Sequence, residues 1–529
     1  MYAPDIPPAE PVFRPLIGSS DMRKYASTVT AALVLALSGC AGAQGGPESG
    51  TSGAPTTLNI ATLTKTTSMD PATAVGSGLP FFQPVYDTLI KREPDGSYSP
   101  MLATEWAYDD SNTELALTLR GGVTFQDGTA FDAAAVKANL DRFKKAGGPD
   151  AANLAGLKSV EVVDATHVKL TLERPDPGLL FYLSDSAGLM ASPAAFAKAD
   201  ELKTKPNGTG PYRLDGAKTV IGTKWVYTRR SDYWGAKLPY DTITMSVFDN
   251  ETAIVNGIKT GQIDTAVLQD VGQQAGIKSD PGVTVADYPF DFQGLLLFDR
   301  GGKVTPALRE AKVRQALNHA LDRETMLSAI RQGRGEITAQ VFGPSSTGYV
   351  KELDGRYPYD PAKAKALLQE AGYGDGFTMH LPRITAIVND ALAASMQTDL
   401  GKVGVKLVWD QADTSVMKKI FIDREYSGMV MNIGQSSNDW IVVRTLVLPG
   451  TFNMFGTTDE TVGKLVAEIQ GKSAEAAKAD FQELNTHLVE EGWFVPFFRM
   501  TNLLVSDKDV KAVPQAGMAV PSIYNYAPA

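Results

Sequence analysis

The chain is poor in the residues that carry most covalent and metal chemistry: its 529 residues hold one cysteine, Cys40, and four histidines. A single thiol rules out an intrachain disulfide and any cysteine-based metal cluster. The histidines, His167, His319, His380 and His487, stand singly rather than at the paired spacing of metal ligands. There is no Gly-x-Ser-x-Gly elbow, no Walker loop and no His-Glu-x-x-His, and no Gly-x-Gly-x-x-Gly follows a strand pattern. An enzyme is therefore not the reading, and neither a cofactor nor a resident metal is expected. Positive charge is also in short supply. Fifty Lys and Arg against 60 Asp and Glu give a net charge of -10. No basic block offsets this, and a nucleic-acid partner, which needs a basic face, is not expected. What is present is 43% hydrophobic and 21% charged residues, the balance of a water-soluble globular chain long enough for two or three domains.

The N-terminal region reads as an address. From Met22 the sequence is MRKYASTVTAALVLALSGCAG. Arg23 and Lys24 precede an apolar run from Ala26 to Leu37, which is shorter than the ~20 residues a spanning helix needs and fits a secretory signal. It ends in Leu37-Ser38-Gly39-Cys40, which resembles a bacterial lipoprotein signal. Small residues let extended backbone enter a peptidase cleft, and the Cys40 thiol would carry the lipid. Residues 22–39 are thus predicted to be the signal peptide, with Met22 as initiator and 1–21, Pro-rich and without an apolar segment, as a non-native upstream extension. Residues 40–57 are Gly/Ser/Pro-rich and read as a flexible tether. The implied location is the extracytoplasmic face of a bacterial cell membrane, held by lipid on Cys40.

Beyond the tether, strand and helix patterns alternate, which predicts an α/β architecture with mixed sheets. Apolar alternation over 114–120 and 167–173 predicts strands. Asp132 is placed to cap a helix with Val136, Leu140 and Phe143 on one face. Val313, Ala316, Leu317, Ala320 and Leu321 have the spacing of a core-facing helical stripe. Asp360-Pro361 before AKAKALLQEAG gives an N-cap, a proline at the first helical position and Gly372 as terminator.

Several segments, taken in order, are similar to the solute-binding family 5 proteins, the dipeptide-, oligopeptide- and nickel-binding group that serves ATP-binding-cassette importers. They are VYDTLI at 85–90 with DGSYSPMLATEW at 95–106, LRGGVTFQDGT at 119–129, GTGPY at 208–212, DYWG at 232–235, GQID at 261–264, VRQALNHALDR at 313–323, and YDP at 359–361 running to Ala371-Gly372-Tyr373. Gln126 stands where that family often has His. Most of these residues also have ordinary roles as turns and packing aromatics, so the signature itself is not read as a binding site. The resemblance implies a type II periplasmic-binding-protein-like α/β fold, two lobes with a hinge plus an inserted third domain. The first lobe would comprise 58–92, 202–288 and 493–529, the inserted domain 93–201, and the second lobe 289–492. Chain crossings near 288–292 and 493–497 would form the hinge, with ligand buried in the cleft as the lobes close. Importer permease and ATPase subunits would be the partners of a monomeric receptor.

In peptide-binding members an acidic residue of the second lobe meets the ligand amine, and the matching stretch here is 431–440. Its candidates are Asn432, Gln435, Ser436, Asp439 and Trp440, with Ser436 at the usual acidic position and Trp440 in place of proline. A buried ammonium needs a carboxylate partner. Asp439 fills that role if it faces the cleft, and does not if it faces solvent. Further candidates are Phe81, Phe82, Phe290, Phe292 and Phe452 as apolar wall, Asn453 beside them, and Arg444 as a fork for a ligand carboxylate or as a surface residue. The ligand is predicted to be a short peptide or related small solute. A metal chelate, a sugar or another non-peptide solute is the alternative, and a sensor lipoprotein would share the fold.

Overall fold

A computed structural model describes residues 56–529 apart from 414 and 474. Cys40, the signal and nearly all of the predicted tether lie outside the described residues. Among those residues the main sheet has nine strands. From one edge it runs Gly428–Gly434, Val283–Leu297, Phe494–Asp507, Thr265–Leu268, Thr57–Thr62, Thr242–Val247, Lys224–Arg229 and Tyr212–Leu214, with Glu336–Ile337 also paired to Phe494–Asp507. Thr57–Thr62 is parallel to both of its neighbours and the other pairings are antiparallel, so the sheet is mixed, as predicted.

Two long strands tie the molecule together. Val283–Leu297 pairs with Phe494–Asp507 from Val283 opposite Asp507 to Leu296 opposite Phe494, with register shifts at Pro289/Asp291 and Gln293/Gly294. At one end Leu503 and Val505 pack with Ile254, Ile258 and Leu268. At the other, Leu295, Leu297, Val495, Phe497 and Met500 pack with the helix Ala311–Ala320. The second crossing between cores therefore falls between Met500 and Leu503, several residues beyond the boundary expected at 493. Strand Phe494–Asp507 is buried almost throughout, so its pattern gives no sign of where one core ends and the next begins.

The inserted region has its own antiparallel four-stranded sheet, in the order Ala103–Tyr108, Glu114–Leu119, His167–Leu172, Leu157–Val162. Its strands alternate because one face meets the helix Ala133–Ala146, whose Val136, Leu140 and Phe143 are buried. Asp132 caps that helix by accepting from the Ala135 N–H, a contact of the kind that contributes about 1 kcal/mol. Helix Pro361–Glu370 likewise starts at the Asp360 cap, with Gly372 left-handed at its end.

The motif residues have structural work. Asp127 accepts from Thr129, Ser192 and Asn207, fastening the 125–129 turn to two distant segments. Gly208 and Gly210 lie against the backbone of Val85, where an added Cβ would sit 2.3 and 2.5 Å from its carbonyl atoms. Trp234 Nε1 and the hydroxyls of Tyr233 and Tyr524 donate to the buried Asp87 carboxylate, which burial pushes above its ordinary pKa. His319 is buried against Tyr357, with Nδ1 2.9 Å from the Pro358 carbonyl oxygen, while His167 and His380 lie exposed beside aspartates.

Candidate functional site

A cavity of about 320 Å³ lies where segments of all three cores meet. The first core brings Gly76, Ser77, Pro80 and the loop 517–520. The inserted region brings Asp150, Asn153 and the helix Leu179–Leu183, and the second core brings Ser436, Ile441, Arg444 and Thr445. Asp150 is the carboxylate of this wall. Its Oδ2 accepts from the Gly76 N–H at 3.0 Å and the Ser186 hydroxyl at 2.8 Å. Burial raises its pKa and the charge of Asp185 adds to this, while the two hydrogen bonds and Arg444 work the other way. Asp185 also lines the cavity, but it is held by Arg92 Nη2 at 2.9 Å and by the Ser186 N–H. Arg92 in turn lies 4.4 Å over the Phe181 ring, so its charge is packed beside the cavity and committed to Asp185.

Arg444 supplies the opposing charge. It belongs to the five-residue π-helical segment Val443–Val447, a local widening that often occurs at functional sites. Its Nη2 donates to Asn153 Oδ1 at 2.8 Å and its guanidinium lies 4.9 Å over the Tyr182 ring. Arg444 thus reaches from the second core into the inserted region. Asn438 Nδ2 donating to Tyr98 and Gln470 Nε2 donating to the Pro175 carbonyl span the same divide, so the two bodies touch around the cavity.

The predicted residues separate into several groups. Ser436 and Arg444 line the cavity. Phe81 and Phe82 are core residues beneath it, Phe81 edge-on to Trp225. Phe292 and Trp440 are buried in the second core. These four supply packing where a ligand wall was expected, because apolar residues beside a glycine-rich loop go first to the core. Asn432 is exposed and accepts from Gln293, and Gln435 donates to the Val341 carbonyl. Phe452 stacks near Phe298, and Asn453 is buried with its amide bonded to Val447 and Thr457. The side chain of Phe290 falls outside the described set.

Asp439 departs from both alternatives: it faces neither solvent nor the cavity. Its carboxylate accepts from the Ser346 and Thr347 hydroxyls and from the N–H groups of Thr347, at 3.1 Å, and Gly348, at 3.2 Å. It holds a loop that lies some 90 positions away in sequence. Asp439→Ala leaves these buried donors without a partner and should destabilise the protein by ~2–4 kcal/mol. Urea unfolding measures the loss, and ligand affinity of the folded variant should stay within about twofold. A large affinity loss with unchanged stability would return Asp439 to the ligand.

Asp150, Asp185, Phe181 and Tyr182 were not anticipated from sequence. The one available signal was the pair of isolated acids Asp150 and Asp185 flanking short helical turns, and that pattern is common on surfaces.

The cavity thus lies in a cleft where two lobes and an inserted domain meet, with strands shared between the lobes' cores. Solved structures show the same fold. DppA from Helicobacter pylori in complex with peptide STSA matches at TM-score 0.74 and 22% identity, covering 89% of this chain and 98% of that one. NikA from Brucella suis in complex with Fe(III)-EDTA matches at TM-score 0.76 and 24% identity, covering 89% and 100%. The family model for bacterial extracellular solute-binding proteins, family 5 middle, matches residues 97–447, and the chain belongs to that family. Among relatives, the glutathione-binding protein GsiB of Salmonella paratyphi A is 35% identical over 305 residues, which take in 56% of this chain and 57% of that protein.

Proposed function

We propose that this protein is the extracytoplasmic receptor of an ATP-binding-cassette importer and that it captures a short peptide or a peptide-like zwitterion in the cavity between its lobes. The observation that carries the reading is the presence of opposite charges on the walls of one cavity, Asp150 on the inserted wall and Arg444 on the second-lobe wall. A free amine would be held by Asp150, with Asp185 adding to the negative potential, and a carboxylate by Arg444. Phe181, partly exposed on the cavity wall, offers apolar area at small entropic cost. Two relatives support the class of ligand: GsiB is named for glutathione, and DppA was solved with a peptide.

The partners in this reading are a permease and an ATPase, and the receptor is a monomer anchored by lipid on Cys40. The two lobes move relative to each other about the crossings of the long strands, at 288–292 and near 501–502. No enzymatic step is part of it. A polyanionic chelate of the kind bound to NikA is the second reading, and it suits this cavity less well. A polyanion would find one guanidinium on the cavity wall, Arg444, with the Asp150 carboxylate opposing it, since Arg92 is already paired with Asp185.

The test is a thermal-shift series on protein stripped of ligand under denaturant and refolded. A ligand that binds only the native state stabilises it by about 2.7 kcal/mol at a hundredfold excess over Kd. Peptides with a free amine should raise the melting temperature and their N-acetylated forms should not. Equal shifts from both forms, or shifts with chelates or sugars alone, would defeat the peptide reading.

A further inference from the structure

The inserted region is fastened differently to its two neighbours. It joins the first core backbone to backbone: the N–H groups of Leu89, Met190 and Ser192 donate to the carbonyls of Gly188, Asp87 and Asn207 at 3.0, 3.1 and 2.9 Å. With the second core it shares no strand, and among the described residues no backbone N–H of one bonds a backbone carbonyl of the other. The hydrogen bonds across that boundary use side chains. A boundary held this way can part while the inserted region stays with the first core.

Two of these bonds lie away from the cavity. Asn112 Nδ2 donates to the Gly471 carbonyl at 3.3 Å, and Asn438 Nδ2 donates to the Tyr98 hydroxyl at 3.2 Å. None of these four residues lines the cavity, whereas Arg444 and Asn153, which bond to each other, both do. The Asn112 amide is aimed by its turn. Asp109 Oδ1 accepts from the Thr113 and Glu114 N–H groups at 2.9 and 2.8 Å, and the Asn112 N–H donates to the Asp109 carbonyl at 3.0 Å. Asn112 itself takes the left-handed backbone, φ 53°, which asparagine tolerates better than most residues. Its acceptor, Gly471, ends the helix Glu460–Gln470, where free carbonyls carry the negative end of the helix dipole. Tyr98 packs on the inserted core and presents its hydroxyl to Asn438. Beside it the two surfaces approach closely, and a Cβ added at Gly96 would sit 2.5 Å from Ser437 Oγ.

We propose that Asn112 and Tyr98 latch the inserted region to the second core, and that they set how long a captured solute is retained without touching it. This rests on the receptor reading above and adds to it two residues that govern residence time. Bonds made only after the lobes have closed favour the closed complex over the state from which it forms. They therefore slow release and leave the rate of capture unchanged. A hydrogen bond of this kind is worth roughly two- to tenfold in such an equilibrium. Because neither residue meets the solute, the factor is the same for every solute bound.

The experiment is stopped-flow binding and release of tri-alanine and of reduced glutathione by the ligand-stripped full chain. Wild type is compared with Asn112→Gly, which keeps the left-handed backbone and drops the amide, with Tyr98→Phe, which keeps the ring, and with the double variant. Each single change should raise the dissociation rate roughly two- to tenfold, and the double variant by about the product. Association rates should stay within about twofold, and the factors should be equal for both probes. Melting temperatures of the ligand-free variants should lie within about 2 °C of wild type, which a loss of general stability would not allow. Unchanged dissociation in the double variant, a loss carried by association, or factors that differ between probes would overturn the latch and leave the receptor standing. Failure of both probes to bind wild type would overturn the peptide-receptor reading, and the latch with it.

Discussion

Asp150→Asn should cost a free-amine peptide roughly two to four orders of magnitude in affinity, because stripping one partner from a buried ion pair costs ~3–5 kcal/mol. The substitution keeps the shape of the side chain and one oxygen to accept from Gly76 and Ser186, so the wall should hold its form while losing its charge. Isothermal titration at neutral pH measures the effect. An N-acetylated peptide, having no ammonium to pair, should barely distinguish the variant from wild type. A pH series gives an independent check. Burial and Asp185 hold the empty-site Asp150 carboxyl above its ordinary range. Binding requires the carboxylate form, so affinity should fall as pH is lowered through that raised value, and Asp150→Asn should remove the dependence. If Asp150→Asn binds the free-amine peptide as wild type does, the amine is held elsewhere.

The second large effect concerns stability. Asp291 lies in strand Val283–Leu297 opposite Gly434 on one side and Met500 on the other, next to a register shift. It is buried, and burial pushes its carboxyl from 3.8 up to about 7, with Arg331 opposing this. The sign follows from proton uptake. Between the two values the unfolded chain has released the proton that the folded chain still holds, so stability is full below about pH 4 and falls as pH rises towards 7. At roughly 1.4 kcal/mol per pH unit of displacement, the loss approaches ~4 kcal/mol. Asp291→Asn should therefore be more stable than wild type at pH 8, with the difference shrinking to near zero at pH 4. Urea midpoints of both proteins across that range decide the matter. Comparing the two at each pH cancels the other carboxylates, including Asp354 and Asp459, whose lowered pKa values act in the opposite sense. A pH-independent difference would mean that Asp291 does not titrate as described.

Local features were legible in the sequence. The helix at 311–320, the Asp132 and Asp360 caps and the strands around 114–119 and 167–172 follow from spacing and capping residues alone, and the structure has each of them. The family motifs also pointed to the fold, since GTGPY and FQDGT hold distant segments at fixed separations. The site was much less legible. The contact between Arg444 and Asn153 joins residues 291 positions apart, and no periodicity registers such a pairing. Asp439 misled for a related reason. Its partners at 346–348 are remote in sequence, so a carboxylate that holds a loop looked the same as one that waits for a ligand. The aromatic candidates failed on energetics: Phe81, Phe82 and Phe292 stabilise more by full burial than by lining a solvent-accessible wall.

The long paired strands have a consequence for how the molecule comes apart. Leu295 and Val495 pack in one core and Val283 and Val505 in another, although all four belong to the same two paired strands. Loosening either core frays the ladder that anchors the other, so the two cores should melt together in a denaturant titration. The four-stranded sheet around Ala133–Ala146 shares no strand with that ladder and keeps its own packed interior. In unfolding terms the chain is built as two cooperative units rather than three, one spanning both ends of the long strands and one made by the insertion.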